Sequence, residues 1–455
     1  MSIVVDNTEE LALSAGSSRH DLTEWEPEDL EFWESTGRVV ARRNLVFSVL
    51  SEHIGFSMWS LWSAIVLFLG PKYHIDAAGK FTLTAVPTVV GAGLRLPYTF
   101  AIAKFGGRNW TIFSTLMLLV PATFTMIVLK PGVTYTTLLI AGALAGVGGG
   151  NFASSMANIN NFYPIRLKGW ALGINAGGGN IGVATVQLLG LLVLTTAGVT
   201  HPRLVIAIYI PIIVIATICA ALGMDNLKTV RNSKRAMRDA CHDRHTWVIS
   251  LLYIGTFGSF IGFSFAFGQV LQVQFHPHFN TALKAAQLTF IGPLLGSIAR
   301  PIGGRLADRF GGARVTFWNF TAMAASATVV LVASLQKSLG LFLLGFVLLF
   351  ILSGIGNGST YKMIPSVFGR PLDASGQRPS PPQAARIATA VIGIAGAIGA
   401  AGGVLVNLGF RQSFLSFHNG NSAYIGFIAA YAICLTVTWA GYLRPGAVDR
   451  MGGRV

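Results

Sequence analysis

The chain is poor in charge. Asp, Glu, Lys and Arg together make 11% of its 455 residues, where a soluble domain of this size carries about 25%. A solvated globular surface is therefore excluded for most of its length. Carboxylates are the scarcer charges, 18 against 33 Lys and Arg, and they are almost absent from the apolar runs. Cysteine is rare too. Cys219, Cys241 and Cys434 are scattered with no CxxC spacing, and neither a disulfide nor a metal site is expected from them. The nine histidines include His242, His245, His276 and His278 in loops, and none has metal-ligand spacing inside a span. No cofactor or metal is expected. Residues 1–37 are polar and acidic with no short apolar core, so they do not read as a cleavable signal peptide.

What the chain has is hydrophobic length: 52% of its residues are apolar. Runs at or above the ~18 residues that read as a membrane-spanning helix recur throughout. Twelve are expected, at about 45–70, 82–104, 109–129, 134–160, 168–194, 203–224, 246–274, 284–305, 314–335, 339–363, 385–410 and 421–443. A polar segment, 1–43, precedes them. Within it Trp25-Glu-Pro-Glu-Asp-Leu-Glu-Phe-Trp33 mixes acids and aromatics, and any helix it starts is expected to lie at the membrane surface.

The net charge of +15 does not imply a nucleic-acid partner, because the cations sit in short loops that alternate along the chain. With the first loop after the N-terminal region taken as external, 24 of the 33 Lys and Arg fall on one side, 7 on the other, and Arg95 and Arg300 fall inside spans. The positive-inside bias places both termini in the cytoplasm. The largest loop on that side, 225–245, divides the chain into 44–224 and 246–444, six spans each, with a tail at 445–455.

The two halves repeat. Arg95-Leu-Pro-Tyr-Thr-Phe-Ala-Ile-Ala-Lys-Phe-Gly-Gly107 aligns with Arg300-Pro-Ile-Gly-Gly-Arg-Leu-Ala-Asp-Arg-Phe-Gly-Gly312 at an offset of 205, and Asn151 pairs with Asn357 at 206. Such a repeat implies two pseudo-symmetric bundles with a site between them near mid-membrane. Arg95 and Arg300 each precede a loop cation by nine residues, roughly 13 Å of helix at about 1.5 Å per residue. A charge at that depth costs at least ~2.5–3.5 kcal/mol and must pair, face an interior or bind something. With carboxylates nearly absent, two symmetric guanidiniums point to an anionic substrate, and their planar fork suits a planar oxyanion. Asn151, Asn180 and Asn357 are candidate site amides. A structural ion pair and plain helix packing are the alternatives.

Two motifs carry a resemblance. Gly304-Arg-Leu-Ala-Asp-Arg-Phe-Gly-Gly-Ala-Arg314 resembles the signature loop of the major facilitator superfamily, whereas the partner loop is degraded, with Ala103 in place of the acid. Gly148-Gly-Gly-Asn-Phe-Ala-Ser-Ser-Met-Ala-Asn-Ile-Asn-Asn-Phe-Tyr-Pro164 and Gly354-Ile-Gly-Asn-Gly-Ser-Thr-Tyr-Lys-Met-Ile-Pro365 resemble the paired signatures of its nitrate/nitrite porter branch. So does Gly173-Ile-Asn-Ala-Gly-Gly-Gly-Asn-Ile-Gly182. The resemblance implies an all-α membrane protein, twelve transmembrane helices in two six-helix bundles. It implies a non-enzymatic carrier of nitrate and nitrite in the bacterial inner membrane, expected to act as a monomer in the lipid bilayer. It further implies a cytoplasmic latch at Gly304, Asp308 and Arg309, and aromatic walls around the anion for which Phe56, Phe152, Tyr253, Phe257 and Tyr361 are candidates.

Exchange of one anion for the other is the expected mode, because an empty site holding two positive charges is expensive to occlude. Proton-coupled nitrate uptake is the alternative within the family, and a channel or a sensor the alternatives outside it. Glu52 and His53 bear on that choice. About eight residues into the first span, they are expected at the membrane edge, or else they reach the pathway and take a proton.

Overall fold

A computed structural model describes residues 20–230, 234–368 and 381–446. The expectations on 1–19, on 369–380 of the Pro/Arg-rich loop and on the tail beyond 446 lie outside the described residues. Twelve helical rods follow one another: α1 (Arg38–Trp59, continued as Leu61–Phe68), α2 (Ala77–Phe105), α3 (Gly107–Val128), α4 (Tyr135–Phe162), α5 (Ile165–Thr196), α6 (Arg203–Gly223), α7 (Arg244–Gln274), α8 (Ala282–Phe310), α9 (Gly312–Leu335), α10 (Leu339–Phe368), α11 (Pro381–Phe417) and α12 (Asn421–Leu443). Eleven of them, all but α1, are long and apolar enough to cross a membrane. The first expected span differs because it begins earlier, at Arg38, and breaks at Ser60, with Glu52 and His53 in its middle.

The caps follow from the sequence. Asp76 accepts from the Gly79 amide (2.7 Å) at the start of α2, as an N-cap carboxylate should. Gly106 ends α2 at φ +87° and Gly311 ends α8 at φ +90°, a backbone region open to glycine. These are the same position of the repeat (311 − 106 = 205), so the two Phe-Gly-Gly loops turn alike. The halves α1–α6 and α7–α12 meet along two symmetry-related lines, α2 against α11 and α5 against α8.

The N-terminal segment is tied to the helical bundle. Leu30–Gly37 runs directly into α1, and its aromatics pack on the α4–α5 junction: Trp25 on Phe162 (5.3 Å) and Trp33 on Tyr163 (5.6 Å). Glu28 accepts from the Ile165 amide at 2.8 Å, which caps α5. A two-residue parallel pairing, β1 (Asp21–Leu22) with β2 (Asn226–Leu227), then ties this segment to the central loop. That loop is otherwise partly helical, Lys234–His242.

Asp225 anchors the assembly. It is buried and takes Arg43 at 2.6 Å, Asn44 at 2.8 Å and His20 at 3.2 Å. Asp225→Ala should therefore lower stability by about 2–3 kcal/mol, less than the ~3–5 of a fully buried pair because Arg43 is half exposed. Lys228→Ala, which removes an exposed partner of Asp21, should cost no more than ~1 kcal/mol. Thermal unfolding of the two variants in detergent reads the difference.

Candidate functional site

The two arginines converge. Arg95 on α2 and Arg300 on α8 are both buried, 0% and 2% exposed. Each guanidinium faces the same two rings. Arg95 Cζ is 4.3 Å from the Phe152 ring centroid and 4.8 Å from that of Phe257; for Arg300 the distances are 5.5 and 5.9 Å. Phe152 comes from α4 in the first half and Phe257 from α7 in the second, and their rings stack at 5.8 Å. The aromatic faces supply quadrupole attraction to the cations without neutralising them.

The guanidiniums are fixed but not satisfied. Arg95 Nε donates to the Gly149 carbonyl at 3.2 Å, and Nη1 donates across the halves to the Gly396 carbonyl at 2.8 Å. Arg300 Nη2 donates to Tyr253 Oη at 3.1 Å. Arg95 Nη2 and Arg300 Nη1 are buried and without a hydrogen-bond partner. Among the described residues neither arginine stands in an ion pair. Buried charged donors left open are costly, and they mark a place where something else is to be bound.

The local sequence explains the shape. Gly149 and Gly91 bring α4 and α2 to backbone contact beside Arg95, while Gly354 and Gly296 do the same for α10 and α8. In α7, residues Ile254–Gly258 form a π-helical turn, a device often found at functional sites. Across it Tyr253 and Phe257 stack at 5.0 Å with planes 4° apart. Tyr361 lies against Arg300 (5.5 Å) and Tyr253 (5.2 Å), and its hydroxyl is buried without a partner. Phe56 joins at the edge of Phe152, 5.9 Å away.

The amides are less central. Asn151, Asn180 and Asn357 are buried with unpartnered amide atoms, and none is hydrogen-bonded to either guanidinium. The Asn151 side chain instead packs on Gly55 at the crossing of α1 and α4. Sequence reasoning missed Trp59, whose ring lies 5.2 Å from Arg95. It also missed the Gly149 and Gly396 carbonyls. Trp59 is one turn after Phe56, a spacing that could have signalled a shared face.

Glu52 is not at an edge. It is fully buried, and one oxygen, Oε2, accepts from Ser155 and from Asn175 Nδ2 (2.6 Å). His53 turns to α5, where its Nδ1 lies 3.1 Å from the Gly178 carbonyl. At the basic end, Asp308 pairs at 2.5 Å with Lys362 of α10, within its own half, and Lys362 Nζ faces Gly169 of α5 in the other half. Arg309 lies over Phe310 at 5.2 Å, and a Cβ on Gly304 would meet nothing within 4 Å.

A cavity of about 140 Å³ opens from this end between the halves. Lys168, Trp170, Arg305 and Lys362 line it together with Arg300 and Tyr361. At the opposite end the halves are joined by Thr84 to Asn407 (2.9 Å) and Gln187 to the Ser264 carbonyl (2.8 Å). Arg300 can thus be approached from the basic end, while Arg95 lies behind it, off the cavity wall; two like charges beside flat rings are an arrangement suited to a small anion.

Residues 49–405 match the family model described as Major Facilitator Superfamily. The chain is 36% identical to the nitrate/nitrite transporter NarU of Escherichia coli, over 94% of this chain and 97% of that protein. It is 32% identical to the probable nitrate/nitrite antiporter NarK2 of Thermus thermophilus, with the same coverage of 94% and 97%. Among solved structures it resembles the partially occluded inward-open xylose transporter XylE of Escherichia coli, with a TM-score of 0.66 at 14% identity, covering 90% of this chain and 98% of that one.

Proposed function

Because the chain belongs to the major facilitator superfamily and to the nitrate/nitrite transporters within it, we propose that it carries nitrate and nitrite across the bacterial inner membrane by alternating access. One observation carries this reading. Two buried guanidiniums from symmetry-related positions each keep an open donor and share the rings of Phe152 and Phe257. Nitrate and nitrite are planar, singly charged and weakly hydrated. Flat apolar walls and few donors suit them and leave the extra oxygens of sulfate or phosphate unsatisfied.

Phe152, Phe257, Tyr253, Tyr361 and Phe56 wall the anion, and Asn151, Asn180 and Asn357 frame it. Both termini face the cytoplasm, so the cavity toward Arg300 is the cytoplasmic approach. The chain acts as a monomer. Gly304, Asp308 and Arg309 form the cytoplasmic latch, acting through Lys362, which can hold Asp308 or release it as α5 moves past.

Bound anion lowers the cost of occluding two like charges, which favours exchange of one anion for another. The test is influx of labelled nitrate into proteoliposomes with equal pH on both sides. Influx is expected into vesicles loaded with nitrite or nitrate and not into those loaded with sulfate. Equal influx into all of them would remove the exchange reading.

A further inference from the structure

We propose that a groove on the outer face of the second half holds one anionic phospholipid, with its phosphate on Arg314 and an acyl chain against Val315 and Ile355. The inference needs only that the chain spans a membrane, and it goes beyond the transport reading above.

The groove, about 390 Å³, runs between three helices. Phe310 of α8, Arg314, Val315 and Trp318 of α9, and Leu352 and Ile355 of α10 line it. It is separate from the cavity between the halves, which α8 lines with Arg300, Gly304 and Arg305. Phe310 and Trp318 are 45% and 63% exposed, so the groove opens outward, where a membrane-spanning chain meets lipid. Arg314 is exposed, and among the described residues it stands in no ion pair. It belongs to the first turn of α9, where the helix dipole favours an anion. Trp318 lies one turn further along, about 6 Å at 1.5 Å per residue. A cation at a helix end with an indole one turn deeper suits a headgroup and the interfacial layer beneath it.

The internal repeat explains why the groove is there. At the offset of 205, Phe310, Arg314, Val315 and Trp318 correspond to Phe105, Asn109, Trp110 and Phe113. In the first half Trp110 stacks on Phe105 at 5.5 Å and packs on Phe113 at 5.3 Å, so an indole fills the place between them. In the second half Val315 stands there, and the space of the ring is left open. The charge follows the space. Arg314 replaces Asn109 where the groove is open, whereas Arg108 of the first half is spent on the Ala221 carbonyl at 2.6 Å. Open apolar space and an uncommitted cation therefore occur together on one half. A small inorganic anion would use the cation and leave the apolar wall bare. A phosphodiester carrying acyl chains uses both.

A lipid seated there touches α8, α9 and α10 on both sides of the Phe310-Gly311-Gly312 turn. Asp308 and Arg309 stand in the last turn of α8, directly before it. An occupied groove braces that turn, so anion exchange should run faster in membranes that contain anionic lipid.

The experiment uses the full chain, delipidated in detergent. It is titrated with phosphatidylglycerol or with phosphatidylcholine of the same acyl chains, and bound lipid is counted by native mass spectrometry. Wild type should retain one phosphatidylglycerol about tenfold more tightly than phosphatidylcholine. Arg314→Asn, which installs the residue of the first half, should erase that preference. Val315→Trp, which installs its indole, should lose the retained lipid. Nitrate–nitrite exchange by wild type should be severalfold faster in vesicles of equal parts phosphatidylglycerol and phosphatidylcholine than in phosphatidylcholine alone, and exchange by Arg314→Asn should not.

No preference for phosphatidylglycerol in wild type, or the same preference in Arg314→Asn, would overturn the proposal. So would displacement of the lipid by inorganic phosphate, which would show a plain anion site. A dimer that Val315→Trp dissociates would overturn it too, by placing a second copy of this chain in the groove. Equal stimulation of wild type and Arg314→Asn would remove the bracing. Should Val315→Trp not fold, Arg314→Asn decides, since that side chain is exposed. Retention is read without transport, so its failure leaves the carrier reading standing, and loss of exchange in every vesicle would strike that reading instead.

Discussion

Arg95→Lys and Arg300→Lys should each cut nitrate transport by about a hundredfold or more, with the proteins still folded. The geometry gives the reason. Arg95 spends Nε and Nη1 on the carbonyls of Gly149 and Gly396 and leaves Nη2 without a partner, open to an anion. A lysine ammonium has its donors on one atom and cannot hold two carbonyls on different helices while presenting a third donor to the anion. Arg300 divides its fork likewise, one arm to Tyr253 and one left open. Losing one charge-assisted bond to a buried anion costs about 1.5–3 kcal/mol, and ~2.7 kcal/mol is a hundredfold in affinity. Positive charge alone is retained in both variants. Normal uptake by either would therefore show that charge suffices and that the fork is not used. Initial rates of labelled nitrate influx, compared at equal protein incorporation, make the measurement.

Gly149→Ala and Gly354→Ala should be damaging single-methyl changes. An added Cβ on Gly149 would sit 2.7 Å from Gly91 Cα, and one on Gly354 would sit 2.9 Å from Gly296 Cα. Backbone cannot rotate away as a side chain can, so helices α4 and α2, or α10 and α8, must separate. Overpacking of this kind costs about 1–3 kcal/mol, and backbone contact places both at the upper end. Function should suffer more than stability, since the Gly149 carbonyl also holds Arg95 and any shift of α4 moves Phe152. Gly340→Ala and Gly426→Ala, where nothing lies within 4 Å, are the controls and should change stability by less than ~0.5 kcal/mol. Thermal unfolding in detergent and nitrate influx, read together, separate the two effects. If all four variants behave alike, the close approach of these helices is not what the glycines are for.

The architecture was legible because hydropathy and loop charge both report the bilayer directly. The arginine pair was legible for a related reason: a cation within an apolar run has no innocent solvent to face, and the repeat at 205 residues supplied its twin. The symmetry extends further than the alignment used to find it, to the paired glycine φ values at 106 and 311 and to the Gly91–Gly149 and Gly296–Gly354 contacts.

What stayed hidden depends on rotation about a helix axis. In α5 almost every position near mid-membrane is buried, so composition could not say that Asn175 rather than Asn180 bonds Glu52. The same holds for Trp59, one of several large side chains on α1 with no exposure at all. Glu52 was placed too near the edge because the apolar run begins at Leu45, whereas the helix begins at Arg38 and continues the N-terminal segment inward. The N-terminal segment itself was read from its amphipathic composition. The packing of its Trp25 and Trp33 depends on partners 130 or more residues away, Phe162 and Tyr163, which no local pattern reveals.

Equilibrium binding of labelled nitrate to the purified chain tests the central claim most directly. The account holds that two open guanidinium donors between the rings of Phe152 and Phe257 select a planar, singly charged anion. Nitrite should displace the label at a concentration similar to that of nitrate, sulfate and phosphate should not, and Arg95→Lys and Arg300→Lys should each abolish specific binding. Displacement by sulfate as effective as by nitrite, or undiminished binding in either arginine variant, would contradict it.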